Sequence, residues 1–117
     1  MSRRDLSGAV DFAVLDRMTG GDDVVAEEIL GLFVQQAEMW SQMLDARIEG
    51  WRDALHTIRG AAGGIGAGAL VVACAEAEGA DKAMIPARLD QVRNALNEAL
   101  SDVAAWRHEL MLRSLRA

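Results

Sequence analysis

The chain has no tyrosine, one proline (Pro86), one cysteine (Cys74) and two histidines among 117 residues. Each scarcity removes a class of protein. A single cysteine makes no internal disulfide, so the fold rests on a buried core, which a chain of this length is large enough to form. Cys74 sits in an apolar stretch and reads as a small buried hydrophobe in a reducing compartment. Two histidines are too few for a metal-binding helical bundle, which draws several inward carboxylate and imidazole ligands from facing helices. Twelve Lys and Arg are outnumbered by eighteen Asp and Glu, for a formal charge of −6. That balance argues against a nucleic-acid partner, which needs clustered cations. The longest uncharged stretch, Gly60 to Ala75, is glycine-rich and too short to span a bilayer, so no membrane partner is expected. Asp5, Asp11 and Asp16 break up the apolar run that an export signal would need after Arg3 and Arg4, which points to a cytoplasmic protein.

What the chain does contain is Ala, Leu, Met, Glu and Arg, a mixture that favours helices. Asp11 to Met18 is a short amphipathic segment closed by Gly20 and Gly21, after which Asp22 or Asp23 caps a second helix. Val25, Ile29, Leu32, Phe33, Gln36, Trp40, Met43 and Leu44 recur there in steps of three and four, with Gln36 the one polar lapse. That pattern predicts one buried stripe on a helix running to about Glu49. Gly50 ends it, and a third helix buries Trp51, Ala54, Leu55, Ile58 and Ala62, with Gly63 to Gly68 marking its end and a turn. Ala69 to about Asp81 forms a fourth helix, with Leu70, Ala73, Cys74 and Ala77 inward. Pro86 suits the first turn of a fifth, which carries Leu89, Val92, Leu96, Ala99, Val103, Trp106 and Leu110 on one face. No alternating strand pattern competes. The expectation is an all-α single domain over residues 1–117: an antiparallel, up-down four-helix bundle with a short additional N-terminal helix.

On the third helix, His56 lies roughly 140° from the centre of the apolar face, taking ~100° per residue. It therefore faces water. Asp53, Arg59, Gly60, Gly63 and Gly64 share its side, and residues three and four apart are neighbours there. Each helical glycine costs ~1 kcal/mol relative to alanine, so a run of them needs a reason. An exposed imidazole on a bare helix face makes a docking surface; an idle surface histidine stays open on this pattern alone. His108 also faces outward, but nothing bare surrounds it, and it reads as an ordinary surface residue.

The motif His56-Thr57-Ile58-Arg59-Gly60, followed by the small-residue run to Gly66 and then Leu70, Cys74 and Glu78, resembles the histidine-containing phosphotransfer (HPt) domains of bacterial two-component phosphorelays. Val10-Asp11-Phe12, Leu15, Met18, Gly21-Asp22, Ile29-Leu30 and Leu32-Phe33 extend the likeness upstream, and residues 52–79 hold its phosphotransfer motif. The resemblance implies that His56 is phosphorylated and relays the group between aspartates of response-regulator receiver domains, with a hybrid sensor histidine kinase as a further partner. It implies no cofactor of the chain's own, since receivers carry the Mg²⁺, and a phosphoryl carrier without autonomous catalysis. Arg59 stands where the family has lysine; the charge is kept, but a planar fork replaces a mobile point charge. Glu78 matches a position where a carboxylate accepts a hydrogen bond from one imidazole nitrogen and leaves the other as nucleophile. The docking surface is then expected to include Gly60, Gly63 and Gly64 with exposed apolar residues of the first two helices, Phe12, Leu15 and Val25. The alternative is a helical adaptor that binds a kinase or receiver without being phosphorylated and inhibits it.

Overall fold

The computed structural model describes residues 9–116, and among them the chain forms five α-helices and one 3-10 turn, with no strand. Asp11 caps α1 (Phe12–Thr19) by accepting from the Ala13 N–H, and Gly20 closes it in the left-handed region at φ 63°. The Asp22 carboxylate caps α2 (Asp23–Met43) by accepting from the N–H groups of Val24 and Val25. These caps satisfy donors that a helix start otherwise leaves orphaned. Helix α3 spans Trp51–Ile65 and α4 spans Gly68–Glu78. A 3-10 turn, Lys82–Met84, leads into α5 (Ile85–Arg116). Pro86 is its second residue, where a missing N–H breaks no helical bond.

Pairs that join opposite helix ends show the directions. Glu27, early in α2, meets Arg107, late in α5, at 2.6 Å, while the Arg93 guanidinium donates to the carbonyls of Ser41 and Leu44 at the other end. Arg88 at the start of α5 lies 3.8 Å from Glu76 at the end of α4. Glu78 in turn faces residues of the first turns of α3. Neighbouring helices therefore run antiparallel. The core between them is made of Leu30, Leu55, Ile58, Ala62, Leu70, Cys74, Leu96, Val103 and Trp106, all essentially without exposed surface.

Helix α1 is laid onto this bundle by Phe12, which stacks on Trp106 with ring centroids 5.1 Å apart, and by the fully buried Leu15. Its entry is fixed by the backbone: the Asp11 N–H donates to the Gly66 carbonyl at 2.8 Å, and the Asp102 carboxylate accepts from the N–H groups of Ala9 and Val10.

Several expectations about the helices need correction. The buried stripe of α2 is Ala26, Leu30, Phe33, Ala37, Trp40 and Leu44, so apart from the shared Phe33, Trp40 and Leu44 it is turned by one residue, ~100°, from the bulky set. Ala26 and Ala37 occupy inner positions, and Val25 and Leu32 are left on the surface. Helix α2 also stops at Met43, where Arg93 takes up the terminal carbonyls; residues 45–48 form a turn in which the Arg47 side chain, hydrogen-bonded to Asp45, holds that carboxyl at about 2. Helix α3 does not end before Gly63 but runs through Gly63 and Gly64 to the buried Ile65, because packing outweighs a propensity cost of ~1 kcal/mol per glycine. Helix α4 ends at Glu78, three residues short of Asp81, and Ala73 on its inner side is half-buried against the core.

Gly66 is where glycine is obligatory. It closes α3 at φ 83°, and a Cβ there would fall on the Asp11 carbonyl oxygen and press on the Val14 Cβ at 3.0 Å. Gly66→Ala is expected to cost about 2 kcal/mol or more, read as a lowered urea midpoint with an unchanged slope.

Candidate functional site

His56 projects from the second turn of α3, with its side chain 75% exposed, as the helical phase requires. Behind it, Leu55 and Ile58 are fully buried, so the helix is anchored on one side and free on the other. Arg59 lies one turn on. A Cβ at Gly60, Gly63 or Gly64 would meet nothing within 4 Å, so the outer face of α3 beyond His56 is bare backbone open to an approaching surface.

The antiparallel neighbour α4 brings Glu78 to the same place. Its Oε2 is 4.0 Å from His56 Nδ1, and its Oε1 is 3.1 Å from Arg59 Nη1. The Arg59 contact is an ion pair without hydrogen-bond alignment, and Oε1 accepts no hydrogen bond from any other group. The Glu78 side chain is 27% exposed, so this pair feels a lower effective dielectric than a fully solvated one. One turn earlier in α4 the Cys74 thiol is buried inward; burial pushes it up to about 12, with the nearby Glu78 charge adding to the shift and Arg59 opposing it.

Of the expected apolar docking residues, Val25 is exposed (37%), but Phe12 and Leu15 are not. Both are buried because α1 needs them as its anchors on Trp106 and the bundle. The exposed apolar surface beside α3 is instead a groove of about 340 Å³ whose lining includes Met18, Ile29, Leu32, Gln36, Ala61 and Gly64. Met18 is 63% and Leu32 50% exposed. Periodicity of bulky residues alone places Leu32 inward; the alanines at 26 and 37 are the signal for the true phase. A larger concavity of about 680 Å³ between α2 and α5 is lined by His108, Val24, Met111 and the Glu27–Arg107 pair, and by none of the residues around His56. Among the described residues no three His, Cys, Asp or Glu side chains are grouped to hold a metal ion.

An exposed imidazole on a bare helix face, with a guanidinium one turn on and a carboxylate from the adjoining helix, is a small constellation, and comparison with known proteins decides what it belongs to. The family profile described as the Hpt domain matches residues 27–106. The chain belongs to the Hpt domain family. Its structure is similar to the crystal structure of the histidine phosphotransferase ShpA from Caulobacter crescentus, at 48% sequence identity and a TM-score of 0.81, covering 92% of this chain and 99% of that one. No curated protein matches the chain. Hpt domains work in two-component phosphorelays with receiver domains and kinases, and this Hpt protein is a phosphorelay carrier. No helix among its described residues is long and apolar enough to cross a membrane.

The Cys74 environment makes a pH prediction. The native thiol keeps its proton up to about 12, whereas an unfolded thiol ionises near 9.0. The folded state thus binds more protons between these values, so this contribution to stability is complete below pH ~8.5 and is lost as pH rises, by at most ~1.4 kcal/mol per unit. Iodoacetamide at pH 8 is expected to leave native Cys74 unmodified and to alkylate it in urea, as read by intact mass.

Proposed function

We propose that His56 is the residue that carries the phosphoryl group, taking it from an aspartyl phosphate on one receiver domain and passing it to an aspartate on another. The observation that carries this reading is the exposed His56 ring on a helix face stripped of side chains at Gly60, Gly63 and Gly64. In the step, a lone pair on the imidazole Nε2 attacks phosphorus, the P–N bond forms, and the aspartyl P–O bond breaks with its electrons returning to the carboxylate. Nδ1, the nitrogen nearer Glu78, keeps its proton, and the positive charge of the phosphorylated ring is delocalised over the two ring nitrogens. The return transfer is the same exchange run backwards. Alignment and charge neutralisation are most of what phosphoryl transfer asks of a protein. Arg59 neutralises phosphoryl oxygens in this scheme, and the Mg²⁺ belongs to the receiver.

The bare glycine face admits the receiver, and Met18, Leu32 and Val25 offer it exposed apolar contact, while Phe12 and Leu15 are buried and take no part in that contact. A hybrid sensor kinase with an attached receiver fits as the upstream donor, and the cytoplasm as the compartment where such receivers act. A non-phosphorylated adaptor would need no imidazole on this face, and the family match gives that alternative no support.

Incubation with a labelled, phosphorylated receiver is expected to give a protein-bound label that is acid-labile and base-stable, and His56→Gln is expected to abolish it. Label retained in that variant would overturn the assignment. Gly60→Ala and Gly63→Ala are expected to raise stability by ~0.5–1 kcal/mol each, since nothing obstructs a Cβ there. Gly63→Trp is expected to keep the helical spectrum while slowing transfer from the receiver by an order of magnitude or more. Transfer at the unmodified rate would show that the open face is not where receivers dock.

A further inference from the structure

The Arg59 guanidinium is not free in this structure. It rests on Glu78, 3.1 Å from Oε1, and that oxygen has no hydrogen-bond donor of its own. Glu78 is the more enclosed partner, at 27% side-chain exposure against 39% for Arg59 and 75% for His56. The same carboxylate lies 4.0 Å from the ring through its other oxygen. One anion is thus shared between the two groups that a phosphoryl oxygen on His56 would also engage. One turn before Glu78 on α4, the buried Cys74 thiol stays neutral far above neutral pH, so it contributes no charge to this balance.

Resting on the assignment of His56 as phosphoryl carrier, we infer that Glu78 is a positioning residue that competes with the phosphoryl group for Arg59 and so lowers the affinity of this chain for the group it carries. Before transfer, Glu78 neutralises Arg59. Once the P–N bond forms, the phosphoryl dianion on His56, one helical turn away, draws the guanidinium off the carboxylate; when the P–N bond breaks toward the next aspartate, the guanidinium returns. Each transfer therefore exchanges one ion pair for another instead of adding one. A carrier must release as readily as it accepts, and an arginine with no competitor would hold the phosphoryl group more tightly than a relay intermediate requires.

The test is a double-mutant cycle on the transfer equilibrium with one purified receiver domain, the same for every variant. Wild type, Glu78→Gln, Arg59→Ala and the double variant are each mixed with the ³²P-labelled receiver, and label on the two proteins is measured at equilibrium. Glu78→Gln keeps the side-chain shape and removes the charge. It is expected to move the equilibrium toward phosphohistidine by about two- to five-fold, the scale of a partly exposed ion pair. The shift is expected to vanish in the Arg59→Ala background and to shrink in 1 M salt. A shift toward the receiver, no shift, or a shift of equal size without Arg59 would each overturn the inference. The last would show that Glu78 acts on the ring alone. A merely structural role would lower the thermal midpoint of Glu78→Gln without moving the equilibrium. Wild type that acquires label at a residue other than His56, located by peptide mass spectrometry, would instead overturn the underlying assignment.

Discussion

The burial of one ridge of α3 is the constraint from which the rest follows. Three glycines in a helix of 15 residues would, at ~1 kcal/mol each, prevent it from standing alone. Leu55, Ile58, Ala62 and Ile65 on the opposite face are buried against α1, α2 and α4. Full burial of a Leu or Ile stabilises by ~1.5–3 kcal/mol, so this ridge offsets the glycines with something to spare. The helix can then leave backbone exposed on its outer face, at a stability cost the core absorbs. The position of α1 follows from the same ridge, because the left-handed Gly66 that ends α3 is also the point where the Asp11 backbone docks.

The charged groups are placed by the same packing. Glu78 reaches His56 and Arg59 because α4 returns antiparallel along α3, with Leu70, Cys74 and Ala77 setting the distance between the helices. A phosphoryl carrier has little chemistry of its own to perform. In the proposed scheme its structure has to present one nucleophile, balance a transient dianion and obstruct nothing, and the three demands fall on two adjoining helices. The α2–α5 lacing through Glu27–Arg107 and Asp23–Arg113 lies apart from these groups and serves the bundle.

Much of this could be read along the chain. The caps at Asp11 and Asp22, the long face of α5 from Leu89 to Leu110, and the outward phase of His56 all stem from local rules of capping and of 3.6-residue periodicity. Bulk is a poor guide to the phase of α2, because its buried face carries the small Ala26 and Ala37 beside Leu30 and Phe33. Phe12 and Leu15 carry a related ambiguity: a short amphipathic helix does not say whether its apolar side meets the bundle or a partner. Gly63 and Gly64 looked like a helix end because propensity is local, while the burial that carries α3 through them to Ile65 is not.

By itself, then, the sequence determined the helical class, the number of helices and the residue that faces solvent with glycines at its side, since each depends on neighbours within a few positions. Only the tertiary structure decided that the Arg59 guanidinium is engaged by Glu78, that α1 buries its aromatic side and that Met18 and Leu32 lie exposed beside the site. Those outcomes depend on distances between segments far apart in the chain, which are set by how the whole core closes and which no local pattern encodes.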